Sequence, residues 1–275
     1  MKIYRNAKDI LRKDKMGRRF SMLGLGILFV GMIASFVPTW YPPDQPAPSG
    51  AIQAFLYHYW TLISFLALPL GFLTASIGSY FINRFARRTW PGSKMIARPD
   101  EVLERNLKGL DDKHAYYAYS LPVPYALSGP FGLINLAIRS DKGKVTIEGN
   151  RWREPFSFTR IFTIFAREGV GNPSKELAEQ EQYLRNYLQK VQNGAAEAGN
   201  NLSEVPITSA VVFLNEGVQL VLNNPELTVL RADQLKDFVR RRTKEVKVPN
   251  VTQKLLTQTL SENAIHQDGE EETAQ

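Results

Sequence analysis

Residues 20–40 read FSMLGLGILFVGMIASFVPTW, and residues 61–83 read TLISFLALPLGFLTASIGSYFIN. Neither run contains Asp, Glu, Lys or Arg. At a rise of about 1.5 Å per residue, a helix over either run is about 30–35 Å long, the thickness of a hydrocarbon core of about 30 Å. The two runs are read as transmembrane helices, and residues 20–83 as a hairpin with an external loop over 41–60.

The flanking charge orients this hairpin. Residues 1–19 carry Lys2, Arg5, Lys8, Arg12, Lys13, Lys15, Arg18 and Arg19 against Asp9 and Asp14 alone. Arg84, Arg87, Arg88, Lys94 and Arg98 come after the second run, whereas Asp44 is the sole charged side chain from Tyr41 to Trp60. The positive-inside rule then places both termini in the cytoplasm and makes the chain a multi-pass inner-membrane protein. Residues 3–15 fit a short amphipathic helix, with Ile3, Ala7, Ile10 and Leu11 on one face and cations on the other. Those cations either meet an anionic leaflet or only fix topology. In the second span Ala67, Gly71, Ala75 and Ser79 recur every fourth residue, a small-residue stripe that admits close helix approach. Gly31 and Ser35 of the first span share that spacing. The stripe serves hairpin packing or, as the alternative, a homodimer. Pro69 is expected to kink the second span. Trp40, Tyr41, Tyr57, Tyr59 and Trp60 read as an aromatic belt at the outer boundary.

The chain has 275 residues, a formal net charge of +7, no cysteine and three histidines. The missing thiols exclude disulfides, thiolate metal sites and a cysteine nucleophile. His58, His114 and His266 have no metal-ligand spacing. His114 beside Asp111 and Asp112 makes at most a weak acid/base pair in a surface loop.

Residues 95–248 read as a cytoplasmic α/β domain. Glu101–Leu110 has apolar residues at helical spacing behind Asp100 as a cap. Strands come next at Tyr116–Leu121, Tyr125–Ser128 and Gly132–Ile138, the last nearly continuous in apolar residues, as in a strand buried on both faces. Ser140–Gly143 turns the chain, and Val145–Glu148 returns as a hairpin strand. Asn172-Pro173 opens a helix that runs to about Asn193. Ile207–Leu214 and Val218–Leu222 form a strand pair joined at Asn215-Glu216-Gly217, and Ala232–Arg242 is a last helix. The polar segment 249–275 reads as a disordered tail.

From Glu101 to Arg242 this order resembles the NERD (nuclease-related) domain, a branch of the restriction-endonuclease-like superfamily. The local match is Pro124-Tyr125-Ala126-Leu127-Ser128-Gly129-Pro130-Phe131-Gly132-Leu133-Ile134-Asn135-Leu136-Ala137-Ile138-Arg139. That family has a strand with an Asp, a Gly-Pro-x-Gly turn, an apolar strand ending in Glu-x-Lys, then a Gly turn, a short strand and a Trp. Gly129-Pro130-Phe131-Gly132 matches the first turn. Lys142-Gly143-Lys144-Val145 matches the Gly turn and short strand, and Trp152 matches the Trp. The resemblance implies a small mixed-sheet restriction-endonuclease-like domain behind the transmembrane hairpin. It puts Pro124 at the family's Asp, Ala137 at its Glu and Arg139 at its Lys. Metal-dependent phosphodiester hydrolysis needs carboxylate oxygens on a hard cation, and Pro and Ala offer none. A relocated site would have to use Asp141 and Glu148.

The expected function is therefore non-enzymatic: an inactive nuclease-like domain, without metal or cofactor, acting as a binding or scaffolding module for a cytoplasmic protein at the membrane. The alternative is tethered nucleic-acid binding. The candidate anion-binding residues are Arg139, Lys142, Lys144, Arg151 and Arg153, with Arg240, Arg241, Arg242 and Lys244 as a further basic cluster. Gly169-Val170-Gly171-Asn172-Pro173 precedes a helix N-terminus but lacks the Lys-Ser/Thr of a phosphate loop.

Overall fold

In a computed structural model, the structure describes residues 1–42, 48–87, 97–141, 143–155, 171–194 and 202–264. The described chain forms two compact units. One spans residues 12–86. The other gathers residues 1–11 with the described chain from Arg87 onward.

The first unit is a helix pair. Helix α1 (Ala7–Ser35) leads to a single turn, α2 (Val37–Trp40), and then to α3 (Ala51–Phe85), which runs on through Pro69. Both long helices are long and apolar enough to cross a membrane, with mean hydropathies of 2.2 and 1.8 in their most apolar windows. Only 22% and 17% of those windows is buried, which separates them from the core helices of a soluble protein. Met22, Leu25, Ile52 and Phe65 are among the large apolar side chains left exposed.

The helix contact explains the small residues. Gly17, Gly24 and Gly31, seven apart in the sequence, face Phe81, Ala75 and Ala67 respectively. A Cβ on Gly24 would stand 2.5 Å from the backbone nitrogen of Ala75, so only glycine fits there. Close backbone approach of this kind supplies the dispersion contact that holds apolar helices together where no hydrophobic effect operates between them. The Ala67–Gly71–Ala75 stripe is thus filled by the chain's own α1. Ser35 lies outside this seam: it is exposed, and its hydroxyl donates to the carbonyl of Met32.

Two boundaries differ from expectation. Residues 3–15 do not form a separate helix. Residues 2–5 are a strand, and the helix that begins at Ala7 is continuous with the first span. The connecting loop does not reach residue 60, because α3 already begins at Ala51 and carries Tyr57, Tyr59 and Trp60 within it.

The second unit is a mixed α/β fold. Its main sheet contains β1 (Lys2–Arg5), β2 (Ala115–Ala118), β3 (Tyr125–Gly129), β4 (Gly132–Arg139), β7 (Ile207–Phe213) and β9 (Thr228–Arg231) in the order β1-β2-β3-β4-β7-β9. The β2-β3-β4 meander is antiparallel, while β1 lies parallel to β2, and β7 lies parallel to β4 and β9. A three-stranded sheet holds β5 (Gly143–Glu148), β6 (Arg151–Arg153) and β8 (Val218–Asn223) in the order β6-β5-β8.

The helices cover the main sheet on both faces. On one face Tyr116, Leu127, Ile134, Leu136 and Val212 meet Leu103 and Leu107 of α4 (Pro99–Leu107) and Leu235 and Val239 of α6 (Leu235–Glu245). On the other, Tyr117, Ala126 and Leu133 meet Leu184 and Leu188 of α5 (Pro173–Gly194) and Leu256 and Leu260 of α7 (Asn250–Asn263). Farther along this face Ala137, Val211 and Phe213 pack with Leu177 and with Val145 and Ile147 of the small sheet. Each fully buried Leu or Phe contributes about 1.5–3 kcal/mol from removal of its apolar surface from water.

Four further expectations give way to the structure. Val145–Glu148 does not return against β4. It pairs antiparallel with β6 and parallel with β8. Consequently β7 and β8 are not a strand pair, because β7 stays in the main sheet and β8 leaves it. Segment 249–275 is not disordered throughout. Residues 250–263 form α7, whose Leu256 and Leu260 are fully buried, and residues 265–275 lie outside the described residues. Asp100 does not cap α4 either. The cap is Arg98, and Asp100 sits inside the first turn.

Candidate functional site

The Gly129–Gly132 turn closes the β3–β4 hairpin. Gly132 adopts φ +94°, and a Cβ there would collide with the carbonyl oxygen of Pro206. The turn thus needs glycine on two counts, conformational and steric. It delivers β4 as a central strand buried along its whole length, with β7 beside it in parallel register.

Side chains of β4 alternate between the two faces. Leu133, Asn135, Ala137 and Arg139 share one face, the one covered by α5. Ala137 is 1% exposed and packs with Val145, Ile147, Leu177, Val211 and Phe213. No polar atom could enter this apolar cluster without a hydrogen-bonding partner of its own. At the strand end Arg139 is also buried. Its Nη2 donates to Glu176 Oε2 of α5 at 2.6 Å, and its Nη1 donates to the carbonyl of Ile138 at 2.8 Å. Arg139 therefore leaves the predicted surface patch, and its charge is committed to Glu176. Pro124 supplies only its carbonyl, which accepts the Tyr119 amide at 2.8 Å.

The rest of the patch divides. Lys142 lies outside the described residues. Lys144, Arg151 and Arg153 are exposed on the outer face of the small sheet. Register fixes their placement: Lys144 lies across from Gln219, Arg153 from Thr146 and Arg151 from Glu148. Glu148 stands among these cations on the exposed face of β5. Trp152 turns to the other face, where its indole Nε1 donates to Ser174 Oγ at 3.1 Å. Among the described residues no group of three His, Cys, Asp or Glu side chains converges as a metal site would need. At the start of α5, Asn172 Oδ1 accepts the Lys175 amide at 3.2 Å, and Glu176 brings a carboxylate into the first turn.

Composition did not reveal a row of polar groups under α5 and α7. Tyr117, Ser128, Asn135 and Ser209 occupy the same face of four successive strands, with Asn135 directly across from Ser209. The Ser128 and Ser209 hydroxyls and both amide atoms of Asn135 are buried without hydrogen-bond partners. Burial pushes the Tyr117 phenol far above its ordinary range; its hydroxyl faces Ser128 without closing a bond of good geometry. Asn135 is fully buried inside an apolar run, and that context was the signal available in the sequence.

His114 is buried at the head of β2, and its partner is Asp111, with Nδ1 2.5 Å from Oδ1. Asp112 instead meets the amino terminus at 3.1 Å. Burial raises the Asp111 carboxyl, and its bonds to His114 and the Lys113 amide overcome that and hold it below the usual range. A second polar cluster joins β1 to α4. Asp100, 1% exposed, pairs with Arg5 Nε at 2.9 Å and with Arg98 Nε at 3.2 Å.

Compared with family models, curated proteins and solved structures, the chain matches none.

Proposed function

We propose that this protein is a membrane-anchored, catalytically inactive nuclease-like module that binds or scaffolds a partner at the cytoplasmic face of a bacterial inner membrane. The observation that carries the reading is the β4 strand: Ala137 stands in an apolar cluster where the family resemblance requires a metal-binding carboxylate, and Arg139 is neutralised by Glu176. A hard divalent cation has no oxygen ligand at that point. The β3–turn–β4 hairpin, the β5 strand after a Gly turn and Trp152 occur in the order the resemblance implies, which supports a degenerate member over an unrelated fold.

The anchor belongs to the same reading. Strand β1 precedes α1 and lies in the sheet beside β2, which comes after α3 in the chain. The chain therefore enters and leaves the helix pair from within the α/β unit, so a single cut after α3 would not separate the sheet from its anchor.

A second reading, membrane-tethered nucleic-acid binding, is favoured by the shared exposure of Lys144, Arg151 and Arg153 on one face of the small sheet. One experiment addresses both. The full chain in nanodiscs is titrated with labelled DNA and RNA at low and moderate salt, with and without Mg2+ or Mn2+. The scaffold reading predicts no cleavage and no salt-dependent binding. Binding that weakens steeply with salt and with Lys144→Ala/Arg151→Ala selects the second reading. Metal-dependent cleavage lost in Asp141→Ala or Glu148→Ala overturns both.

A further inference from the structure

Residues 7–19 extend α1 by about 20 Å ahead of its apolar run. The cations of this extension have separate fates. Lys13 Nζ lies 5.1 Å above the Phe85 ring. Arg18 Nε pairs with Asp14 at 2.9 Å. Arg12, Lys15 and Arg19 lie at the surface, and among the described residues none has a carboxylate partner. Spaced by three and four residues, these last three form one stripe on the helix surface. Continued by three residues, the stripe reaches Met22, 76% exposed, and further on Phe29, 57% exposed. The same outward face thus changes from cation to bare hydrocarbon within one helical turn.

We propose that this stripe, Arg12–Lys15–Arg19, is a binding collar for anionic phospholipid headgroups; the inference rests on the membrane reading above. The continuity of α1 argues for lipid. A helix that continues into an apolar span cannot lie flat on the leaflet, so its cations rise through the headgroup layer. From Arg12 to Arg19 the rise is about 10 Å, against a headgroup layer of about 5–8 Å per leaflet plus the reach of a long side chain. Guanidinium groups bind phosphodiester oxygens in a bidentate fork, and the ammonium of Lys15 adds a point charge between two such forks. Juxtamembrane cations of this kind are attracted by the surface potential of an anionic leaflet.

The test uses the full chain in nanodiscs of phosphatidylcholine containing a minor fraction of phosphatidylglycerol, with retained lipid counted by native mass spectrometry. Wild type is expected to enrich phosphatidylglycerol, and Arg12→Gln/Lys15→Gln/Arg19→Gln to lose about tenfold of that enrichment. Lys175→Gln/Arg185→Gln/Lys190→Gln, which changes as many exposed charges on α5, should leave it unchanged. Arg12→Lys/Arg19→Lys, which keeps the charge and loses both forks, should fall between wild type and the triple glutamine variant. Equal enrichment in the triple glutamine variant, or none in wild type, overturns the collar. If the triple variant fails to insert, Lys15→Gln alone and a salt titration of wild type take its place; an enrichment insensitive to both overturns the proposal. Alkaline extraction separates the two levels. A wild-type chain released by carbonate overturns the membrane reading itself, whereas an inserted chain without lipid preference overturns only the collar.

Discussion

β4 and β5 are neighbours in sequence, yet their surroundings are opposite. β4 is buried at all eight of its residues, with helices on both faces, and it lies between two strands of the main sheet. β5 alternates, burying Val145 and Ile147 while Lys144 and Glu148 stay exposed. Each strand has a cation near the turn that joins them, and the two cations differ in what they can do. Arg139 had to find a carboxylate because burial of an unpaired guanidinium costs several kcal/mol. Lys144 is hydrated and remains available to a partner. Charge in a sequence is thus a functional hint only where the strand that carries it has a wet face.

The widest break of this contrast is to place the same cation in both strands. Ile134→Lys forces an ammonium into a fully buried position and should cost more than about 4 kcal/mol, enough to unfold the α/β unit. Thr146→Lys adds a cation to the outer face of β5 and should stay within about 0.5 kcal/mol. Hydrogen exchange of the main-sheet amides in the full chain checks both. Comparable loss of protection in the two variants would show that the outer face of β5 is covered.

A finer version compares a buried ion pair with a pair of exposed cross-strand neighbours. Glu176→Gln takes one carboxylate away from buried Arg139, 9% exposed, and should destabilise by about 1–3 kcal/mol. Glu148→Gln touches the exposed cross-strand neighbour of Arg151 and should change stability by less than about 0.5 kcal/mol. Urea midpoints of the two variants should therefore separate clearly. If Glu176→Gln were silent, the argument that Arg139 is committed to the fold would fail, and Arg139 would return to the candidate patch.

The same contrast marks what the sequence could reveal. The apolar helices were legible because a charge-free run of span length has few other uses. β4 was legible because an unbroken apolar run means burial on two faces. Partners were not legible. Nothing local distinguishes β5 paired with β4 from β5 paired with β8, since Val145 and Ile147 satisfy either pairing. β1 was hidden because Lys2 and Arg5 bracket only Ile3 and Tyr4, and its stability comes from afar: Tyr4 stacks on Tyr117 at 5.1 Å, and Arg5 reaches Asp100. α7 was hidden by polar composition, although Leu256 and Leu260 show helical spacing. At the candidate site, the absence of a carboxylate at Pro124 and Ala137 was legible from identity alone. The pairing of Arg139 with Glu176 was not, because it spans 37 residues.

The smallest expected effect extends the rule of wet and dry charge to acid. Glu101 is 16% exposed. Its Oε1 accepts from Arg87 Nε at 2.7 Å, and its Oε2 accepts the Arg98 amide at 3.1 Å. Burial raises its carboxyl, and the bonds from Arg87 and Arg98 outweigh that and leave it below the ordinary 4.5. A carboxylate depressed in the folded state stabilises fully above its unfolded value, and that stability disappears as pH falls through the folded value. Acidification from about pH 5 to about pH 3 should therefore loosen α4 in wild type. Glu101→Gln should start weaker and show a flatter acid limb, by less than about 1 kcal/mol because Arg87 is 45% exposed and screened. Protection of the α4 amides against pH reads the difference directly. An acid limb of equal slope in the two proteins would assign the loss to another carboxylate, and Asp111, held low by His114, is the one to replace next.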